Sequence, residues 1–189
     1  MTYGTHMLGG ALLSIAVMTA AGTDQSAAAG ILGGAVVGAL LPDIDHTRSK
    51  ISKSNLGTSI VSDIVSLFTK HRGIIHTPIC MIILAMLCSI LMVVVPKDMH
   101  AIAVEIAEGI LIGYFSHLLL DTFNPGGIMW LYPISKKYFH IAQIKTGTIG
   151  EVLVAGGMTL VLALFSIQYF NMTGLYDETL YKIRTILGI

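Results

Sequence analysis

Charge is scarce in this sequence. Of its 189 residues, 11 are Lys or Arg and 11 are Asp or Glu. Only 12% are therefore charged, where a soluble domain carries about a quarter. With a mean hydropathy of +0.78, that deficit excludes a soluble domain and places the chain in a membrane. Neither sign predominates, because the formal net charge is zero. This excludes the basic surface that a nucleic-acid partner requires. Cysteine is scarce too: Cys80 and Cys88 share one apolar run and are expected as small core residues, not as a disulfide or metal pair. Residues 1–6 contain no Lys or Arg, so the first apolar stretch lacks the charged start of a signal peptide. It is expected to be retained as a span. No G-x-S-x-G stretch occurs, so a covalent acyl route has no support.

What the chain does have is five apolar segments, at about 7–22, 27–41, 78–96, 101–120 and 149–170. A span takes about 20 residues. The fold expected is an all-α polytopic membrane bundle of about five spans, forming one domain over 1–189. The second segment is short and stops at Pro42, since proline ends a helix. Its glycines, Gly30, Gly34 and Gly38, recur every fourth residue and offer one face for close helix approach. Within the polar stretch 42–77, the helical period of residues 56–70 predicts a short amphipathic surface helix. The loop 122–148 opens with "TFNPGG", a turn by composition. Trp130, Tyr132 and Tyr138 in it suit an interfacial belt. The tail from about 173 is expected as a surface helix.

With five spans, residues 1–6, 42–77 and 122–148 share one side of the membrane. That side carries eight Lys or Arg against three on the other, which points it to the cytoplasm. His6, Asp43, Asp45, His46, His71, His76, His117, Asp121 and Glu151 all fall there, at the ends of apolar segments. Each signal alone is modest. His117 and Asp121, four apart, share a helix face, and a simple His–Asp hydrogen bond explains them equally well. His71 and His76 are five apart and meet one centre only across a turn. "PDIDH" alone reads best as a solvated acidic cap. Glu151 suits the dipole of a helix start. Together they put several imidazoles and carboxylates in one layer, a donor set for Zn, with Mn or Fe as alternatives, and rich enough for more than one ion. Arg72 could grip a phosphate with its planar fork.

In order, "THMLGG", "LLPDIDHTRS", "HRGIIHTP", "GYFSHLLLDTFNPGGIMWLYP" and "TIGE" resemble the YdjM-like bacterial and archaeal membrane proteins, described as membrane-bound metal-dependent hydrolases. The resemblance covers about residues 4–155. It implies metal ligands at His6, Asp43, Asp45, His46, His71, His76, His117 and Asp121, with Glu151 beside them. More remotely, His117 to Asp121 is similar to the H-x-x-x-D element of the zinc-dependent phospholipase C and single-strand nuclease fold, although the N-terminal tryptophan ligand of that fold has no counterpart here.

The function expected is a metal-dependent hydrolase of the inner membrane, cleaving a phosphoester of a lipid or lipid-linked substrate at the cytoplasmic face. Asp45, Arg72 and Glu151 are its expected catalytic residues. An ion acidifies water, and a spare carboxylate takes the proton. Two rivals stand beside it. A metal-ion transporter would spread ionisable residues along a path through the bundle, and a scaffold would close its metal shell.

Overall fold

In a computed structural model, described for residues 1–43, 72–172 and 175–188, the chain is a bundle of α-helices. The helices are α1 (Tyr3–Ala21), α2 (Ala28–Gly38), α3 (Pro78–Leu91), α4 (His100–Asp121), α5 (Ile149–Met172) and α6 (Leu175–Leu187). A single helical turn, Arg72–Ile75, precedes α3. Among the described residues no strand forms beyond one isolated bridge between Ile128 and Phe139. The amphipathic helix expected over 56–70 lies outside the described residues.

Local sequence sets the boundaries. Thr2 caps α1, its side chain accepting from the Thr5 amide. Gly22 ends α1 at φ 66°, with its N–H returned to the Met18 and Thr19 carbonyls. This is the left-handed stop that glycine makes without strain. Asp24 accepts from the Ser26 amide at 2.8 Å and starts a 3₁₀ turn that leads into α2. At the other end of α2, a 3₁₀ turn over Leu41–Asp43 carries Pro42. Pro78 stands at the first position of α3, where its missing N–H is not needed.

Among the described residues, four helical segments are long and apolar enough to cross a membrane: Tyr3–Ala21, Gln25–Asp43, Lys97–Asp121 and Ile149–Asn171. The third apolar segment is shorter than expected. Its helix stops at Leu91, which at 1.5 Å per residue covers about 21 Å of a hydrocarbon core of about 30 Å. Turns at Met92–Val94 and a 3₁₀ turn at Lys97–Met99 complete the passage to α4. The alternation expected from five segments nevertheless holds. α2 and α4 run parallel, with Gly30 facing Glu105 and Gly38 facing Ile110. α1 opposes both, because Gly10 faces Ala35 and Gly9 faces Leu120. Consequently the starts of α1, α3 and α5 gather at one end with the finishes of α2 and α4.

Glycine fixes how tightly this assembly closes. A Cβ at Gly38 would lie 2.1 Å from the Ile110 carbonyl oxygen, and one at Gly113 would lie 2.0 Å from the Ala35 carbonyl oxygen. The backbones of α2 and α4 therefore touch, as small residues allow between membrane helices. Ile15, Met18, Ile31 and Tyr169 form the core at one end, and Tyr114, Leu118 and Ile128 form it at the other. The outer face of α5 is lipid-like in character, with Leu153, Leu160 and Leu164 each at least 60% exposed. Large exposed apolar faces of this kind mark a membrane surface.

Candidate metal centre

The end where five chain segments meet holds His6, His76 and His117. His6 comes from the first turns of α1, Asp43 from the turn after α2, and His76 from the link before α3. His117 and Asp121 lie on the last turns of α4. His6 Nε2 is 3.4 Å from Asp121 Oδ1, and His117 Nε2 is 3.3 Å from Asp121 Oδ2. His76 Nε2 is 3.3 Å from Asp43 Oδ1 and 3.8 Å from Asp121 Oδ2. The His6 and His117 rings stack with centroids 3.8 Å apart, and the His76 ring meets His117 edge-on at 5.2 Å.

Among the described residues, two overlapping ligand sets result. His6, Asp43 and His117 bring one donor atom each within 4.8 Å of one another, and so do His76, His117 and Asp121. His6 and His117 are fully buried. His117 Nδ1 lies 2.7 Å from the Ala39 carbonyl oxygen. A carbonyl only accepts, so Nδ1 carries a proton, and in the neutral ring Nε2 presents a lone pair. That lone pair faces a carboxylate oxygen, another acceptor. Both nitrogens of His6, Nδ1 of His76 and Nε2 of His117 are buried without a hydrogen-bond partner. The Met1 ammonium reaches Asp121 Oδ1 at 3.4 Å, but no hydrogen-bond partner meets these imidazole nitrogens; buried polar atoms are normally paired, and each ring, when neutral, offers a lone pair to a cation. The donor set fits an ion such as Zn, Mn or Fe.

Neighbouring groups hold these side chains. Asn124 Nδ2 donates to Asp121 Oδ1 at 2.5 Å. The Tyr114 hydroxyl donates to the Ile75 carbonyl, and Thr77 Oγ1 donates to Ile74 at 2.5 Å, so both flanks of His76 are tied down. Glu151 is buried but engaged elsewhere. Its Oε1 accepts from the Thr2 amide at 2.5 Å and from Thr5 Oγ1 at 2.7 Å, and its Oε2 accepts from the Gly147 amide at 2.7 Å. It thus joins α5 to the first turn of α1, one residue from His6, and stands outside both ligand sets.

The structure gathers His6, Asp43, His76, His117 and Asp121. Asp45, His46 and His71 lie outside the described residues, and Arg72 opens the helical turn before His76. His100 is exposed at the opposite end, where its Nε2 lies 2.8 Å from the Val95 carbonyl oxygen. The loop after α4 differs from a plain interfacial belt. Trp130 packs against Phe115 and donates to Thr122 Oγ1 at 2.9 Å, folding the loop back over the site end. Sequence reasoning missed Asn124, Tyr114 and the Ala39 carbonyl. Asn124 had a signal in "TFNPGG"; a backbone carbonyl reached across 78 residues had none.

Taken together, this is a polytopic helical membrane protein with a buried histidine–aspartate cluster at one end of its spans. The chain belongs to the family described as YdjM inner membrane protein, whose model matches residues 1–176. It is 35% identical over 174 residues to protein YvsG of Bacillus subtilis (strain 168), covering 91% of this chain and 96% of that one. It is 32% identical over 108 residues to inner membrane protein YdjM of Escherichia coli (strain K12), covering 57% of this chain and 52% of that one. No solved structure matches it.

Proposed function

We propose that this protein is a metal-dependent hydrolase that cleaves a phosphoester of a lipid or lipid-linked substrate at the cytoplasmic membrane face. The observation that carries the reading is the set of buried, unpartnered imidazole nitrogens facing the carboxylates of Asp43 and Asp121. His6, His76, His117, Asp43 and Asp121 would hold divalent metal, with Zn the best match and His117 common to the two ligand sets, in a site rich enough in donors for more than one ion. A bound divalent cation supplies Lewis acidity toward a phosphoryl oxygen and acidifies water.

The chain's own groups do the rest. Ala39 and Asn124 orient His117 and Asp121. Glu151 positions the first turn of α1, and with it His6. Asp45 is the proton acceptor in this reading, and Arg72 neutralises two phosphate oxygens at once, which suits phosphoryl better than carbonyl chemistry. The eight-to-three Lys and Arg bias supports the cytoplasmic orientation.

The test is an assay of detergent-solubilised protein with Zn or Mn on phosphorylated lipids and on carboxylic ester and amide analogues. Chelator-sensitive release of phosphate or a phosphorylated head group is expected. Turnover of the carboxyl substrates alone would overturn the phosphoester reading. Bound metal without turnover of any substrate would favour a structural site.

A further inference from the structure

A cleft between α1, α3 and α4 has no part in the centre described above. Its volume is about 720 Å³, within the roughly 300–1,000 Å³ of ligand pockets. Leu13 and Val17 on α1, Met81 and Met86 on α3, and Leu111 and Phe115 on α4 are among its walls. The one polar side chain along it, Ser89, already donates its hydroxyl proton to the Ala85 carbonyl at 2.9 Å. The cleft exists because α3 packs on α4 while α1 packs on α2, α4 and α5, and no residue of α3 is buried. Val17, Met86 and Ile90 are 41%, 61% and 63% exposed, so it opens sideways, toward the bilayer.

Shape and position select the occupant. Along α3 the cleft runs from Met81 to Ile90, about 13 Å at the helical rise. Its walls are apolar apart from Ser89, whose hydroxyl is already bonded, and it opens to the bilayer, so the methylene chain of a surrounding lipid is the occupant at hand. Met81 and Met86 are unbranched and adapt to an irregular apolar guest. One end of the cleft lies toward the cluster's end of the bundle: its wall residues Phe115 and Met81 are two residues before His117 and five after His76.

We propose that this cleft holds one acyl chain of a bilayer phospholipid, with the phosphate end of that lipid at the histidine–aspartate cluster. The position of the phosphate rests on the phosphoester reading; the seat of the chain rests on the cleft alone. The full chain is reconstituted in phosphatidylcholine bilayers containing phosphatidic acid with a diazirine on one acyl chain, then irradiated. Adducts are expected on Ala85, Met86, Leu111 and Ile112, several-fold above Leu160 and Leu164 on the outer face of α5. Ala85→Trp should cut adducts on Leu111 and Ile112 at least threefold with metal content unchanged, and Leu160→Trp should change neither. Equal labelling of the cleft and α5 would mean ordinary surrounding lipid and would overturn the proposal. So would a photoreactive residue in place of Ala85 that captures residues 56–70 or a second copy of the chain. If Ala85→Trp does not fold, the wild-type adduct map decides. A diacylglycerol probe, lacking phosphate, is expected to label the cleft less; equal labelling would detach the head group from the cluster. Cleft adducts in a protein that binds no metal would sink the hydrolase reading while sustaining the acyl seat.

Discussion

At the scale of single residues, the centre turns on which atoms are spoken for. His117 has one nitrogen on the Ala39 carbonyl and one aimed at Asp121. Replacing it removes a donor common to both ligand sets. His117→Ala is therefore expected to abolish metal binding in elemental analysis of purified protein, while His100→Ala leaves the metal content of wild type. Asn124 acts at one remove, through its 2.5 Å bond to Asp121. Loss of such a supporting partner costs about 10–100-fold in metal affinity, so Asn124→Ala should weaken binding by that factor without eliminating it. Glu151 separates a positioning role from a proton-transfer role. Glu151→Ala strands the donors of Thr2, Thr5 and Gly147. An unsatisfied buried donor costs about 1–3 kcal/mol. A lower thermal midpoint in detergent is expected; unchanged stability with lost turnover would instead mark Glu151 as a base.

At the scale of elements, backbone contact between α2 and α4 sets the spacing of the ligands. Gly113→Leu places side-chain atoms where the Ala35 carbonyl stands. Overpacking of this kind costs about 1–3 kcal/mol or more, and relief requires α2 to move and take Asp43 with it. Metal affinity should fall although no ligand has changed. Gly156 faces open space, so Gly156→Ala should be neutral or stabilise α5 by up to about 1 kcal/mol. Metal titration and thermal melts of the two variants check both expectations. The glycine face of α2 was legible from its period of four. Its partners on α4, Gly109 and Gly113, are also four apart, but nothing in a linear pattern says which helices pair or in which direction.

For the whole molecule, ligands drawn from four segments make the centre a clamp on the folded state. Metal binding only to the folded chain stabilises it by about 4 kcal/mol when the free ion exceeds its dissociation constant a thousandfold. Chelation should thus lower the unfolding midpoint of wild type and leave His117→Ala unmoved, which a paired melt with and without EDTA would read. Membrane orientation is a separate matter. Cysteine-labelling in intact cells is expected to find loop 122–148 on the same side as residues 1–6, facing the cytoplasm.

The sequence by itself determined the helical membrane character, because hydropathy over some 20 residues is a local property. It also determined that His6, Asp43, His76, His117 and Asp121 fall at one end, because alternating spans return each segment boundary to a known side. It overstated the third span, since apolar composition runs on through Met92–Val95 after the helix has ended. Tertiary structure alone decided which of the clustered groups touch. Glu151 and Asp121 read alike in sequence, each a carboxylate at a helix end. Packing enclosed Glu151 in three hydrogen-bond donors and set Asp121 against the Nε2 atoms of three imidazoles besides Asn124 and the Met1 ammonium, because α5 meets the start of α1 while α4 ends among His6, His76 and His117. A carboxylate's chemistry follows from the groups that face it, and which groups face it is fixed only when the backbones of α1, α2 and α4 close against one another.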